Sequence, residues 1–87
     1  MSKINQFNEK GERHGLWKDY HSNGQIQYKI TYANGKRHGL WEYYYLSGQL
    51  LEKGTYVNGK PHGMWKHYNR DSKIEKQVFY SKYYEQD

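Results

Sequence analysis

Gly11-Glu12-Arg13-His14-Gly15-Leu16-Trp17-Lys18-Asp19-Tyr20 returns as Gly35-Lys36-Arg37-His38-Gly39-Leu40-Trp41-Glu42-Tyr43-Tyr44, and again as Gly59-Lys60-Pro61-His62-Gly63-Met64-Trp65-Lys66-His67-Tyr68. The copies are 24 residues apart, with no insertion or deletion between them. A fixed period in this range marks a repeat architecture, in which each unit buries its apolar surface only against its neighbours.

Turn-forming pairs punctuate the period: Lys10-Gly11, Asn23-Gly24, Asn34-Gly35, Ser47-Gly48, Asn58-Gly59 and Asp71-Ser72. Asn-Gly tolerates the positive φ that a type I′ hairpin turn requires at both central positions. Between the turns lie segments rich in Tyr, Trp, Ile, Thr and Val, which favour strands. Each unit therefore reads as one β-hairpin, joined to the next by a tight turn of the same kind. The expected strands are 15–21, 26–32, 39–46, 50–56, 63–69 and 74–80, with a short half-unit at 4–8 pairing in front. Helix is not expected, because glycine recurs too often for a period of 3.6 to survive. The units run over about 11–34, 35–58 and 59–80 of a single domain, after an N-terminal half-unit at 1–10. At 81–87 the pattern stops, as a cap on an open sheet edge would. The fold class is all-β, an elongated single-layer antiparallel meander of about three hairpins.

Only 34% of the 87 residues are hydrophobic and 26% are charged, with a mean hydropathy of −1.34. Those figures alone suit a disordered chain. Eleven Tyr, three Trp and two Phe argue otherwise. Aromatic rings bury large areas while keeping a polar handle, so aromatic packing has to hold the fold. Cys is absent, which excludes disulfides and thiolate metal sites and suits a reducing compartment. No apolar run approaches the ~20 residues a membrane helix needs, and the segment after Met1 has no signal-peptide character. The chain reads as a small cytoplasmic gene product. A net charge of +5 favours acidic partners, although the lysines are dispersed rather than clustered.

The pattern Gly-x-x-His-Gly-x-Trp-x-x-Tyr, then Asn-Gly-Gln with an aliphatic, then Tyr-x-Asn-Gly-Lys, resembles a MORN repeat variant. More closely it resembles the bacterial YwqK-like group, commonly labelled an antitoxin family. The likeness spans about residues 8–80. It implies a twisted sheet of successive hairpins that binds protein or lipid headgroups. The Trp in the first strand departs from the usual MORN unit, which has a Gly-x-Tyr type of pattern there.

Catalysis finds little support in the residues. His14, His38 and His62 recur in phase, but successive units are two strands, ~10 Å, apart. Ligands of one zinc sit ~2 Å from it, so no metal is expected. These histidines, with Tyr32, Tyr56 and Tyr80, read as structural ladders. The serines fall mostly at turns, the carboxylates do not recur in phase, and no strand–loop–helix phosphate cradle exists. Neither an enzyme nor a cofactor is expected. What remains is an aromatic sheet face, Trp17, Tyr20, Trp41, Tyr44, Trp65 and Tyr68, rimmed by Lys18, Arg37 and Lys66. Tyr, Trp and Arg dominate binding hot spots. The expected function is non-enzymatic binding of another protein, in an antitoxin-like manner. The alternative is an anionic ligand: single-stranded nucleic acid, a nucleotide or a lipid headgroup. Self-association would cover an exposed sheet. One question stays open: in a straight strand Trp17 and Tyr20 point to opposite faces, so either both faces carry aromatics or a bulge unites them.

Overall fold

The computed structural model describes residues 4–80. The expected cap at 81–87 lies outside the described residues. Eight strands follow in chain order: β1 Gln6–Phe7, β2 Arg13–Tyr20, β3 Ile26–Ala33, β4 Lys36–Arg37, β5 Gly39–Tyr44, β6 Leu50–Val57, β7 Lys60–Tyr68 and β8 Ile74–Tyr80. They form one open antiparallel sheet in the order β1-β2-β3-β5-β6-β7-β8, with β4 also paired to β3. No helix occurs among the described residues. The molecule is a slab with extents of 42 × 38 × 18 Å.

Two kinds of turn build the meander, where the sequence suggested one. Between units, Asn34 and Gly35 (φ 53° and 82°) and Asn58 and Gly59 (φ 50° and 87°) both take positive φ, the type I′ geometry. In the turns within units, a single residue does so: Gly24 (φ 90°), Gly48 (φ 93°) and Ser72 (φ 63°). There the Gly24 amide donates to the His21 carbonyl and the His21 amide to Gln25, a three-residue loop closed by a left-handed residue. A two-residue turn lets pairing resume at once, which is why β7 starts at Lys60 rather than 63. The corresponding strand after Asn34-Gly35 is split in two at His38, whose amide donates to the Thr31 carbonyl at 2.7 Å.

The half-unit in front of β2 is shorter than expected, pairing only Gln6 with His14 and Phe7 with Arg13. Asn5 extends it by side chain. Its Nδ2 donates to the Lys18 carbonyl, and its Oδ1 accepts from the Lys18 amide at 2.9 Å. The carboxamide thus imitates a paired peptide and closes the β2 edge.

Within the hairpins, register shifts fall at Asp19/Tyr20, Tyr43/Tyr44 and His67/Tyr68, and each places the extra residue on the second strand; a further shift at the β6–β7 junction sets Gly63–Trp65 of β7 against Gly54, ahead of the Trp65–Tyr68 interval. β2, β5 and β7 consequently run straight from Trp to Tyr. Strand alternation then puts Trp17, Trp41 and Trp65 on one face and Tyr20, Tyr44 and Tyr68 on the other. Both faces carry aromatics.

Candidate functional site

The tryptophan face is the interior of this thin fold. Its buried side chains are Ile30 (1% exposed), Tyr32 and Trp65, all on this side of the sheet. The rings tile. Trp17 meets Phe7 and Tyr32 edge-on at 5.4 and 5.9 Å, while Trp41 stacks on Tyr28 and Tyr43. Tyr56 bridges two units, edge-on to both Trp41 and Trp65, and Tyr80 closes the row against Trp65. Each such pair stabilises by ~0.5–1.5 kcal/mol beyond its area burial. The tyrosines expected as a separate ladder, Tyr32, Tyr56 and Tyr80, therefore touch the tryptophans directly.

Arginine completes two of the three units. The Arg13 guanidinium lies 4.6 Å from the Trp17 ring centre and donates to the Tyr32 hydroxyl at 3.0 Å. Arg37 repeats this over Trp41, donating to the Tyr56 hydroxyl at 3.2 Å. Its hydrogen bond to Tyr32 is the largest influence holding the guanidinium above its ordinary range, against the opposing effect of burial. Pro61 stands at the third position, so the motif ends there. The Trp41 Nε1–H donates to Glu52 Oε1 at 2.8 Å, and Glu52 Oε2 lies 2.7 Å from His67 Nε2. This face spends its polar groups on itself.

Two histidines bond backbone groups. His38 Nδ1 accepts from the Asn58 amide, in the turn that leads to the following unit, at 3.3 Å. His21 Nε2 donates to the Tyr44 carbonyl, and Tyr45, one period later, donates its hydroxyl to the Tyr68 carbonyl. Turn residues of one unit thereby hold the strand end of the next. His14 and His62 are exposed. No group of three or more His, Asp or Glu that could hold a metal occurs among the described residues.

The opposite face has another character. Lys18 pairs with Lys29, Lys29 with Glu42, Glu42 with Lys53, Lys53 with Lys66, and Lys66 with Gln77. One row thus crosses six strands with four lysines and a single carboxylate. Lys29 Nζ is 3.1 Å from Glu42 Oε1, which also accepts from the Tyr44 hydroxyl at 2.9 Å. Burial pushes the Glu42 carboxyl up, but hydrogen bonds from Lys29 and Tyr44 and the charges of Lys29 and Lys53 outweigh it, leaving the carboxyl below its ordinary range. Lys29 is raised, chiefly by its hydrogen bond to Glu42, and Tyr44 is raised, chiefly by burial. Beside the row stand exposed Tyr20, Leu40, Met64 and Phe79, the last 63% exposed. Leu40, Lys53, Thr55, Met64 and Lys66 border a shallow depression of about 210 Å³.

The residues expected to form one site are thus divided. Trp17, Trp41, Trp65 and Arg37 lie on the packed face. Tyr20, Tyr44, Tyr68, Lys18 and Lys66 lie on the lysine face. Sequence reasoning missed Arg13, Lys29, Lys53 and the Leu40–Met64–Phe79 group. Each could have been found by combining the alternation of a strand with the hairpin register.

The family described as MORN repeat variant matches the chain three times, at residues 13–34, 37–58 and 61–82. The match is to the repeat and carries no antitoxin assignment. No curated protein and no solved structure matches. No helix among the described residues is long and apolar enough to cross a membrane.

Proposed function

The chain belongs to the MORN repeat variant family, whose repeats are generally binding modules, and on that premise we propose that it is a non-enzymatic module docking on another protein through its lysine face. The observation that carries this is the in-register row of Lys18, Lys29, Lys53 and Lys66 beside exposed Leu40, Met64 and Phe79. Apolar anchors flanked by aligned charge suit a partner with an acidic rim: the anchors supply contact and the charges select and steer. The tryptophan face, occupied by its own rings, acts as the rigid backing. Occlusion of the partner's working surface, as an antitoxin-like antagonist achieves it, is the mode of action such a plate offers.

A single-stranded nucleic acid, a nucleotide or a lipid headgroup is the second reading, favoured by the same lysines and by exposed Tyr20. Glu42 in the middle of the row and the apolar group beside it favour protein, because a polyanion gains from neither.

The test is native mass spectrometry of the protein purified gently from its own host, beside a variant carrying both Lys53→Glu and Lys66→Glu. The expected result is a stoichiometric protein partner on the wild type that dissociates with salt and is missing from the variant. A wild type that is bare at every salt concentration, or a variant that keeps the partner, overturns the reading. Steeply salt-dependent binding of a labelled oligonucleotide, lost in the same variant, replaces it with the second.

A further inference from the structure

The lysine row has a companion on its own face. Two residues further along the strands, Leu16 is paired with Thr31, Leu40 with Thr55 and Met64 with Phe79. Residues two apart share a face, so this second row runs beside the lysines across the same strands. Leu40, Thr55 and Met64 border one depression together with Lys53 and Lys66. Leu40, Met64 and Phe79 are exposed and Leu16 is half-buried. The face therefore carries two parallel tracks, one basic and one largely apolar.

Resting on the docking role proposed above for this face, we infer that its occupant is an acidic amphipathic α-helix lying across the strands, with apolar residues at heptad spacing. Spacing is the first reason. Leu16, Leu40 and Met64 hold one position of the 24-residue period, and successive members stand two strands, ~10 Å, apart. One heptad of helix rises ~10.5 Å and brings the same side round again. A strand laid along the row would present a side chain every ~7 Å and fall out of step. Charge is the second reason. Lys29 is held by Glu42 at 3.1 Å, and Glu42, bonded also by the Tyr44 hydroxyl, needs no cation from the partner. Lys53 and Lys66 instead stand directly opposite each other. Like charges so placed destabilise a sheet, and a carboxylate laid over both relieves the repulsion. Acidic residues on one flank of the helix meet this pair, and Lys18 towards the other end of the row. Width is the third reason. The two tracks lie ~7 Å apart, within the ~10 Å diameter of a helix, so one helix covers both. A polyanion would use the lysines and leave the apolar track in water.

The test uses two synthetic peptides of identical composition, rich in leucine and glutamate and about three heptads long. In one, leucine repeats at heptad spacing with glutamates along one flank; in the other, leucine and glutamate alternate as in a strand. Each is titrated into the full chain as wild type, as the double variant Lys53→Glu and Lys66→Glu, and as the double variant Leu40→Ala and Met64→Ala. Binding is read from the anisotropy of a labelled peptide. Helix formation is read from far-ultraviolet circular dichroism, to which the sheet adds no helix among its described residues. The expected result is that the heptad peptide binds the wild type and gains helical signal. Either variant should weaken it by about tenfold, and the alternating peptide should bind the wild type about tenfold more weakly. Equal or tighter binding of the alternating peptide overturns the helix, and so does a wild type that takes neither peptide. A heptad peptide indifferent to both variants sits elsewhere and overturns it too. The docking role is decided separately, by the partner purified from the host: an extended acidic segment found there would keep the face and discard the helix.

Discussion

Trp65 lies directly on Gly54, leaving no room for even a methyl group between the indole and the β6 backbone. The residues one period away are Ile30 and Val78, so the glycine interrupts an aliphatic position to admit the ring of the following unit. The indole Nε1–H then reaches the Thr55 carbonyl at 3.2 Å, and Trp65 is 6% exposed. This joins the second and third units closely.

Gly54→Ala should therefore destabilise the protein by ~1–3 kcal/mol, the usual cost of overpacking. Denaturant unfolding followed by tryptophan fluorescence measures it. A loss under ~0.5 kcal/mol would mean that the ring moves aside freely.

Ser72 adopts φ 63° in the last hairpin turn, where its counterparts are Gly24 and Gly48. An L-residue pays ~1 kcal/mol for that conformation. Ser72→Gly should recover ~0.5–1 kcal/mol, and Gly24→Ser should lose a similar amount. Thermal melts of the two variants should move in opposite directions.

Removing the Asn5 carboxamide uncovers the Lys18 peptide. Asn5→Ala should cost ~1 kcal/mol for its two exposed hydrogen bonds. Hydrogen exchange at the Lys18 amide should accelerate more than exchange in β6, because the damage is confined to the first edge. Uniform acceleration across the sheet would place the carboxamide's role elsewhere.

Glu42 gives the protein an acid-sensitive element. Its carboxyl is lowered in the folded state, so its stabilisation is complete above the ordinary glutamate range and disappears as pH falls through the lowered value. Lys29 and Tyr44 are raised, so their contribution is complete at neutral pH and fades only as pH rises through their alkaline values. Because the pair is partly exposed, the effect should be ~0.5–1 kcal/mol. Comparing Glu42→Gln with wild type, the stability difference should be largest at neutral pH and shrink towards pH 3. A difference that stays constant with pH would show the charge to be irrelevant.

The strands were legible because aromatic and β-branched runs alternate with Asn-Gly and Ser-Gly turns, and those are local preferences. Turn type was less so. Asn34 and Asn23 both precede glycine, yet only Asn34 takes positive φ; the difference lies in where pairing resumes, not in the dipeptide. The residues of the candidate site were chosen by composition, and the structure divides them between two faces. Trp17 and Tyr20 are three residues apart, an odd spacing that separates them unless a bulge intervenes between them. Irregularities do occur, but none between the two: the bulges after Asp19, Tyr43 and His67 lie on the facing strand, and the one on β7 falls at Gly63–Trp65.

The sequence by itself determined the 24-residue period, the all-β hairpin architecture and an aromatic rather than aliphatic interior, because these rest on local turn chemistry and on which side chains are available to bury. Only the tertiary structure decided which face is which. Register between strands is a cooperative property of hydrogen bonding and ring packing across units. It alone drew Lys18, Lys29, Lys53 and Lys66 into one row, set Trp65 on Gly54, and closed one edge of the sheet with Asn5.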